Sequence, residues 1–204
     1  MSEFVVMSDT DWARAHQVPD NEVPGVAASS QVMTATGDAA VVLGEVEVYS
    51  TGVRFTVATL LRRADVAWDP ATEWDRFEDL LLGVELPDGR RIVGESRHGG
   101  FKAGDDRYAL VQQGGSGGGR RADHRWLLTP LPPPGDLVVL VAHPTAGLEE
   151  ARVVVPAAAM AAAREAVVTL WPWEPDAELA GWAPRQRPVP EGGWFAQALG
   201  EPPA

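Results

Sequence analysis

At 204 residues and 45% hydrophobic content, the chain has enough apolar surface for one domain with a sizeable core plus extensions. Its formal net charge of −12 repels phosphate backbones and anionic lipid, which argues against nucleic-acid or membrane partners. There is no cysteine, so disulfides, thiolate nucleophiles and cysteine-ligated metal centres are excluded.

The opening "MSEFVVMSDTDW" carries early acids and no long apolar segment, unlike a secretion signal. The most apolar run, "LVVLVA" at 137–142, is far short of the ~20 residues of a spanning helix, so the expected setting is the cytoplasm. Residues 1–28 are polar, broken by Pro19, Pro24 and Gly25, and read as an extended N-terminal arm with Trp12 as an anchor. "SQVMTAT" alternates Val32, Thr34 and Thr36 and predicts a short edge strand.

In "VVLGEVEVYS" the spacing puts Val42, Val46 and Val48 on one face and Glu45 and Glu47 on the other. After the Tyr-Ser-Thr-Gly punctuation at 49–52, Val53, Phe55, Val57, Thr59 and Leu61 alternate with Arg54, Thr56 and Arg62. The two runs predict a hairpin, packed on one side and wet on the other. "ADVAWDPATEWDRFEDL" is an acidic connection with Trp68, Trp74 and Phe77 as plugs. "LLLGVELPDGRRIVGES" predicts a hairpin turning at Pro87-Asp88-Gly89, because proline presets φ and glycine supplies the positive φ of a following bulge.

"SRHGGFKAGDDR" reads as loop. "YALVQQ" and "HRWLLTPL" read as strands on either side of the glycine tract at 114–119, and "PLPPPGD" as a rigid corner. "LVVLVAHP" predicts a central strand buried on both faces, and "EARVVVP" another strand ended by Pro156. A helix is expected over 157–171, with Met160, Ala163, Val167, Leu170 and Trp171 on one stripe. Residues 172–204 form a Pro- and Gly-rich tail dotted with Trp173, Trp182 and Trp194, mobile or peripherally docked. The fold expected is mainly β: an antiparallel two-sheet β-sandwich over 29–171, immunoglobulin-like by analogy, with one C-terminal α-helix.

The stretch "GGSGGGRRADHRW" (114–126) contains a literal G-x-S-x-G centred on Ser116. A nucleophile elbow needs a strand turning sharply into a helix, and the residues after Ser116 read instead as polar loop and strand. A phosphate loop needs a closing Lys-Ser/Thr at a helix N-terminus, and the tract has neither. It is expected to be a long flexible connection, with Arg120, Arg121 and Arg125 free to meet an anionic patch on a partner.

His16, His98, His124 and His143 show no metal-ligand spacing, and His143 reads as a strand-end residue bonded to backbone. Glu73, Asp75, Glu78 and Asp79 lack the spacing of a calcium loop and read as a solvated acidic face. No catalytic, cofactor-binding or metal-ligating residue is expected, and no cofactor.

The segments "NEVPGVAASSQVMTATGDAAVVLGEVEVYSTGVRFTV", "LLGVELPDGRR" and "QQGGSGGGRRADHRWLLTPLPPPGD", with the Ala-rich helix ending "LWP", resemble a group of uncharacterised actinobacterial proteins. The resemblance runs from about Asn21 to Pro172. It implies no activity, and it implies that the Gly/Arg tract and the proline corner are shared features of the group.

The function expected is a non-enzymatic interaction or accessory module whose partner is another protein. Arg120, Arg121, Arg125, Trp173, Trp182 and Trp194 are the contact candidates, since exposed Arg and Trp are the usual anchors of an interface. Two alternatives stand beside it. One is a small-molecule- or anion-binding, or hydrolytic, protein using 114–125 as a clamp; the other is a capsid- or filament-like assembly subunit.

Overall fold

A computed structural model of the protein describes residues 17–62, 79–94 and 108–173. In chain order the strands are β1 (Glu22–Val23), β2 (Gly25–Ala28), β3 (Gln31–Ala35), β4 (Ala39–Val48), β5 (Val53–Leu61), β6 (Leu81–Glu85) and β7 (Arg91–Val93). They continue as β8 (Ala109–Gly118), β9 (Arg121–Thr129), β10 (Leu137–His143) and β11 (Leu148–Val155), followed by helix α1 (Ala157–Glu165) and β12 (Val168–Thr169). One sheet runs β2-β4-β5-β9-β8 with β3 also on β4, a second runs β11-β10-β6-β7, and β1 and β12 form a two-stranded ribbon. All pairings are antiparallel.

The two larger sheets share one core. Val41, Leu43, Phe55, Val57, Trp126 and Leu128 from the first pack in the same buried cluster as Leu82, Val84, Ile92, Val139 and Val141 from the second. Among the described residues the architecture is the expected antiparallel sandwich with one α-helix, and the ribbon adds a third, small sheet. β1 and β2 draw residues 22–28 of the expected arm into paired strands.

The expected hairpins form. Tyr49 N–H donates to Gly52 O at 2.9 Å across the first turn. At the second, Gly89 N–H donates to Leu86 O at 2.9 Å with Gly89 at φ 82°, the positive φ that a β-carbon disfavours. Asp88 accepts from the Arg90 side chain, which holds its carboxyl below the usual range.

Four local expectations are corrected. In β4 the register shifts between Leu43 and Val46, so Val41 and Leu43 before the bulge, and Val46 and Val48 after it, all point inward. One extra residue inverts the alternation, which puts Val42 on the other face. β10 is central but not buried on both faces: Val138, Leu140 and Ala142 stay partly exposed. The glycine tract is strand, not loop. The helix ends at Glu165, six residues early, because the β-branched Val167, Val168 and Thr169 favour extended backbone, and Val168 and Thr169 pair with β1 instead. Of its expected stripe, Met160 and Ala163 are buried, whereas Leu170 and Trp171 are 50% and 58% exposed.

Helix α1 begins at the proline corner, where Asp136 Oδ1 accepts from Ala157 N–H at 2.7 Å and satisfies one of the helix's unpaired donors. It packs on β2 at Gly25, where a β-carbon would stand 1.9 Å from Ala163 O.

Candidate functional site

The β8–β9 hairpin carries the site. β8 begins with Leu110 in the core, bulges between Gln112 and Gly114, and continues as Gly114-Gly115-Ser116-Gly117-Gly118. These residues stand opposite Arg125, His124, Asp123, Ala122 and Arg121 in turn. Glycine disfavours strand by propensity, so the pairing rests on β9. There Ala122, His124, Trp126 and Leu128 alternate inward, and β5 holds β9 along its other side.

Two close approaches explain particular glycines. A β-carbon at Gly115 would lie 2.8 Å from Asp123 O, and one at Gly117 would lie 3.1 Å from Ala122 Cβ. The chain reverses at Gly119 (φ 60°) and Arg120. Arg120 O accepts from Leu61 N–H at 2.8 Å, which ties the hairpin tip to the end of β5.

Gly115 through Gly118 are exposed, and β8 is the end strand of its sheet among the described residues. In an antiparallel ladder every second residue of an end strand turns its N–H and C=O away from the neighbour. Residues 114–118 therefore present a line of backbone donors and acceptors with almost no side chains in front of it. From Tyr108 to Gly119 the sequence holds no charged residue.

Beside this neutral edge is a concentration of arginine. Arg62, Arg120 and Arg121 cluster at the tip, and Arg125 stands exposed opposite Gly114. Arg121 is held by Asp123 at 2.6–3.1 Å, which raises its pKa further above its ordinary value. Arg62 lies 4.0 Å from Asp38. Among the described residues, four arginines thus stand on or beside this hairpin, two of them paired with Asp38 and Asp123, in a chain whose overall charge is −12.

Ser116 and His124 do not meet. Gly115 shares the face of His124, since its β-carbon would be 3.5 Å from the imidazole Nδ1, so Ser116 next to it points to the opposite face. The His124 imidazole is buried and its Nδ1 lies 2.9 Å from Gln112 Nε2, whose N–H donates. Ser116 also lies within a strand and not at the head of a helix. The serine–histidine form of the clamp alternative therefore lacks its geometry.

His143 is buried at the end of β10, as expected of a strand-end residue, with Nδ1 3.1 Å from the Thr145 hydroxyl. Trp173 is partly buried, and Trp182, Trp194, Trp12, Trp68, Trp74, Phe77, His16, His98, Glu73, Asp75 and Glu78 lie outside the described residues. Among the described residues no group of three or more His, Asp or Glu side chains is placed to hold a metal ion, and no helix is long and apolar enough to cross a membrane.

The outward face beside the hairpin carries a second polar group. Tyr49 is 3% exposed, the Arg54 guanidinium lies 5.1 Å from its ring centroid, and Arg54 Nε donates to Glu47 at 2.5 Å. Burial pushes the Tyr49 phenol above its ordinary value, with Arg54 opposing. The folded state resists losing this proton, so its contribution holds below about pH 10 and is lost as the pH rises through the raised value. Thermal melts across the alkaline range should show a shallower decline for Tyr49→Phe than for the wild type. Identical slopes would contradict the assignment.

Comparison with models of protein families, with curated proteins and with solved structures finds no match.

Proposed function

We propose that this chain is a protein-interaction module, and that it takes an extended, acidic segment of a partner alongside β8. The observation that carries the reading is the exposed, uncharged glycine edge of β8 ending in arginines. Strand addition draws its affinity from main-chain hydrogen bonds, and an edge free of side chains lets a second backbone approach at normal strand spacing. Natural edges are usually blunted with charge, proline or marked twist, and this one carries a single bulge. The arginines supply direction: carboxylates on the incoming segment would meet Arg120 and Arg125, while the rest of the acidic surface repels such a segment. The module acts in the cytoplasm on this reading, as a fold that needs no disulfide.

The test combines affinity capture with amide exchange on the full chain. A partner captured from native lysate should slow exchange at residues 114–118. Arg120→Glu with Arg125→Glu should weaken that capture by about tenfold or more, since each charge is reversed beside an acidic ligand. Protection that appears elsewhere and spares 114–118, or capture indifferent to the double reversal, would defeat the reading.

A further inference from the structure

The outward face of the β11-β10-β6-β7 sheet has a different character from the β8 edge. Its register places Leu140 of β10 directly beside Gly83 of β6, and Ala142 beside Leu81. Large and small side chains therefore alternate diagonally across the two central strands. A groove of about 540 Å³ runs over this face, and the missing side chain at Gly83 forms part of it between Leu140 and Val93. Leu81 is 47% exposed and Val154, on the same face, 46%.

We propose that this face binds a second copy of itself. A twofold axis running along the strands, midway between β10 and β6, exchanges the two strands across an interface. Leu140 of one copy then stands over Gly83 of the other, and Leu81 over Ala142. Each of the two central leucines meets a small residue, and each contact occurs twice. Facing sheets pack about 10 Å apart by interdigitating side chains in this way.

Charge points to the same occupant. The apolar centre is flanked by Glu150 and Arg152 on β11, and by Glu85 and Arg91, which are paired at 3.0 Å. With Glu149, exposed beside Glu150, three acids stand near two bases here, a small excess in a chain of net charge −12, so two copies meet here with less of the repulsion that opposes contact elsewhere. Four strands spaced ~4.8 Å apart over five residues cover roughly 300 Å² in projection. That is below the ~800 Å² per partner of a standard interface, so the dimer is weak, with dissociation in the micromolar range or above.

Sedimentation of the full chain from low micromolar to near-millimolar concentration tests this. The mass should rise from 21.8 kDa towards twice that value. At Gly83 a β-carbon meets only Ile92 O at 3.4 Å, an ordinary contact, and Gly83→Leu should weaken the dimer by about tenfold or more by filling the socket. Gly83→Leu with Leu140→Gly inverts the pattern and should restore association. Leu81→Arg, at an exposed position that leaves the core untouched, should abolish it. A mass that stays at 21.8 kDa throughout overturns the proposal, as does dimerisation unchanged in Gly83→Leu or Leu81→Arg. A folded double variant that fails to recover association overturns it too. Arg120→Glu should leave this dimer intact, which separates its outcome from that of the β8 edge.

Discussion

Gly25→Ala is expected to lower stability by about 3 kcal/mol, the upper end of what an overpacked site costs. The cause is a single close approach. A methyl at this position would stand 1.9 Å from Ala163 O, 2.6 Å from its carbonyl carbon and 2.8 Å from its Cα. All three are backbone atoms of α1, so no rotamer change relieves the contact, and the helix must lift from β2. Met160 and Ala163, the buried residues of the helix, would lose their packing together. For a domain of this size such a loss lowers the melting temperature by roughly 10 °C. Gly37→Ala is the control, because nothing lies within 4 Å of its β-carbon, and its melt should match the wild type. A Gly25→Ala melt within about a degree of the wild type would mean that α1 does not dock as described.

Phe55→Ala should cost about 3–5 kcal/mol, a large share of the 5–15 kcal/mol that holds a typical domain folded. Phe55 is 1% exposed on β5, the middle strand of its sheet, with Val46 directly across on one side and Trp126 on the other. Removing the ring opens a cavity between two strands whose positions are fixed by their ladders, so collapse can fill little of it. Urea denaturation should show a lower midpoint with an unchanged slope, and near-ultraviolet dichroism should report a loosened Trp126. A cost under 1 kcal/mol would place Phe55 at the rim of the core and not at its centre.

How far the fold could be read in advance depended on whether side chains reported the backbone. Along β5 they do: Val53, Phe55 and Val57 alternate with Arg54 and Thr56, and the strand follows from the period alone. Leu86-Pro87-Asp88-Gly89 likewise names its own turn. β10 misleads because an unbroken apolar run looks the same whether one face is covered or two. The C-terminal stripe misleads because Val167 and Leu170 continue the helical spacing while β-branched neighbours pull the backbone into a strand.

The candidate site was legible only in part. The sequence marks Arg120, Arg121 and Arg125 as contact residues, and the structure gathers them on one hairpin beside Arg62, which the sequence does not mark because it follows a different strand, β5. Glycine carries no side chain to alternate, so Gly114–Gly118 read as loop. The sign of strand lay across the ladder, in the spacing of Ala122, His124, Trp126 and Leu128. The Gly83 socket was hidden for a related reason: it exists only where two strands align.

The claim on which the functional account stands is that residues 114–118 are a paired strand with one open side. Backbone NMR of the full chain tests it without any partner. Extended-chain carbon shifts are expected through the tract, with cross-strand contacts linking Gly115 to His124 and Gly117 to Ala122. Random-coil shifts at these glycines, with no contacts to β9, would contradict it.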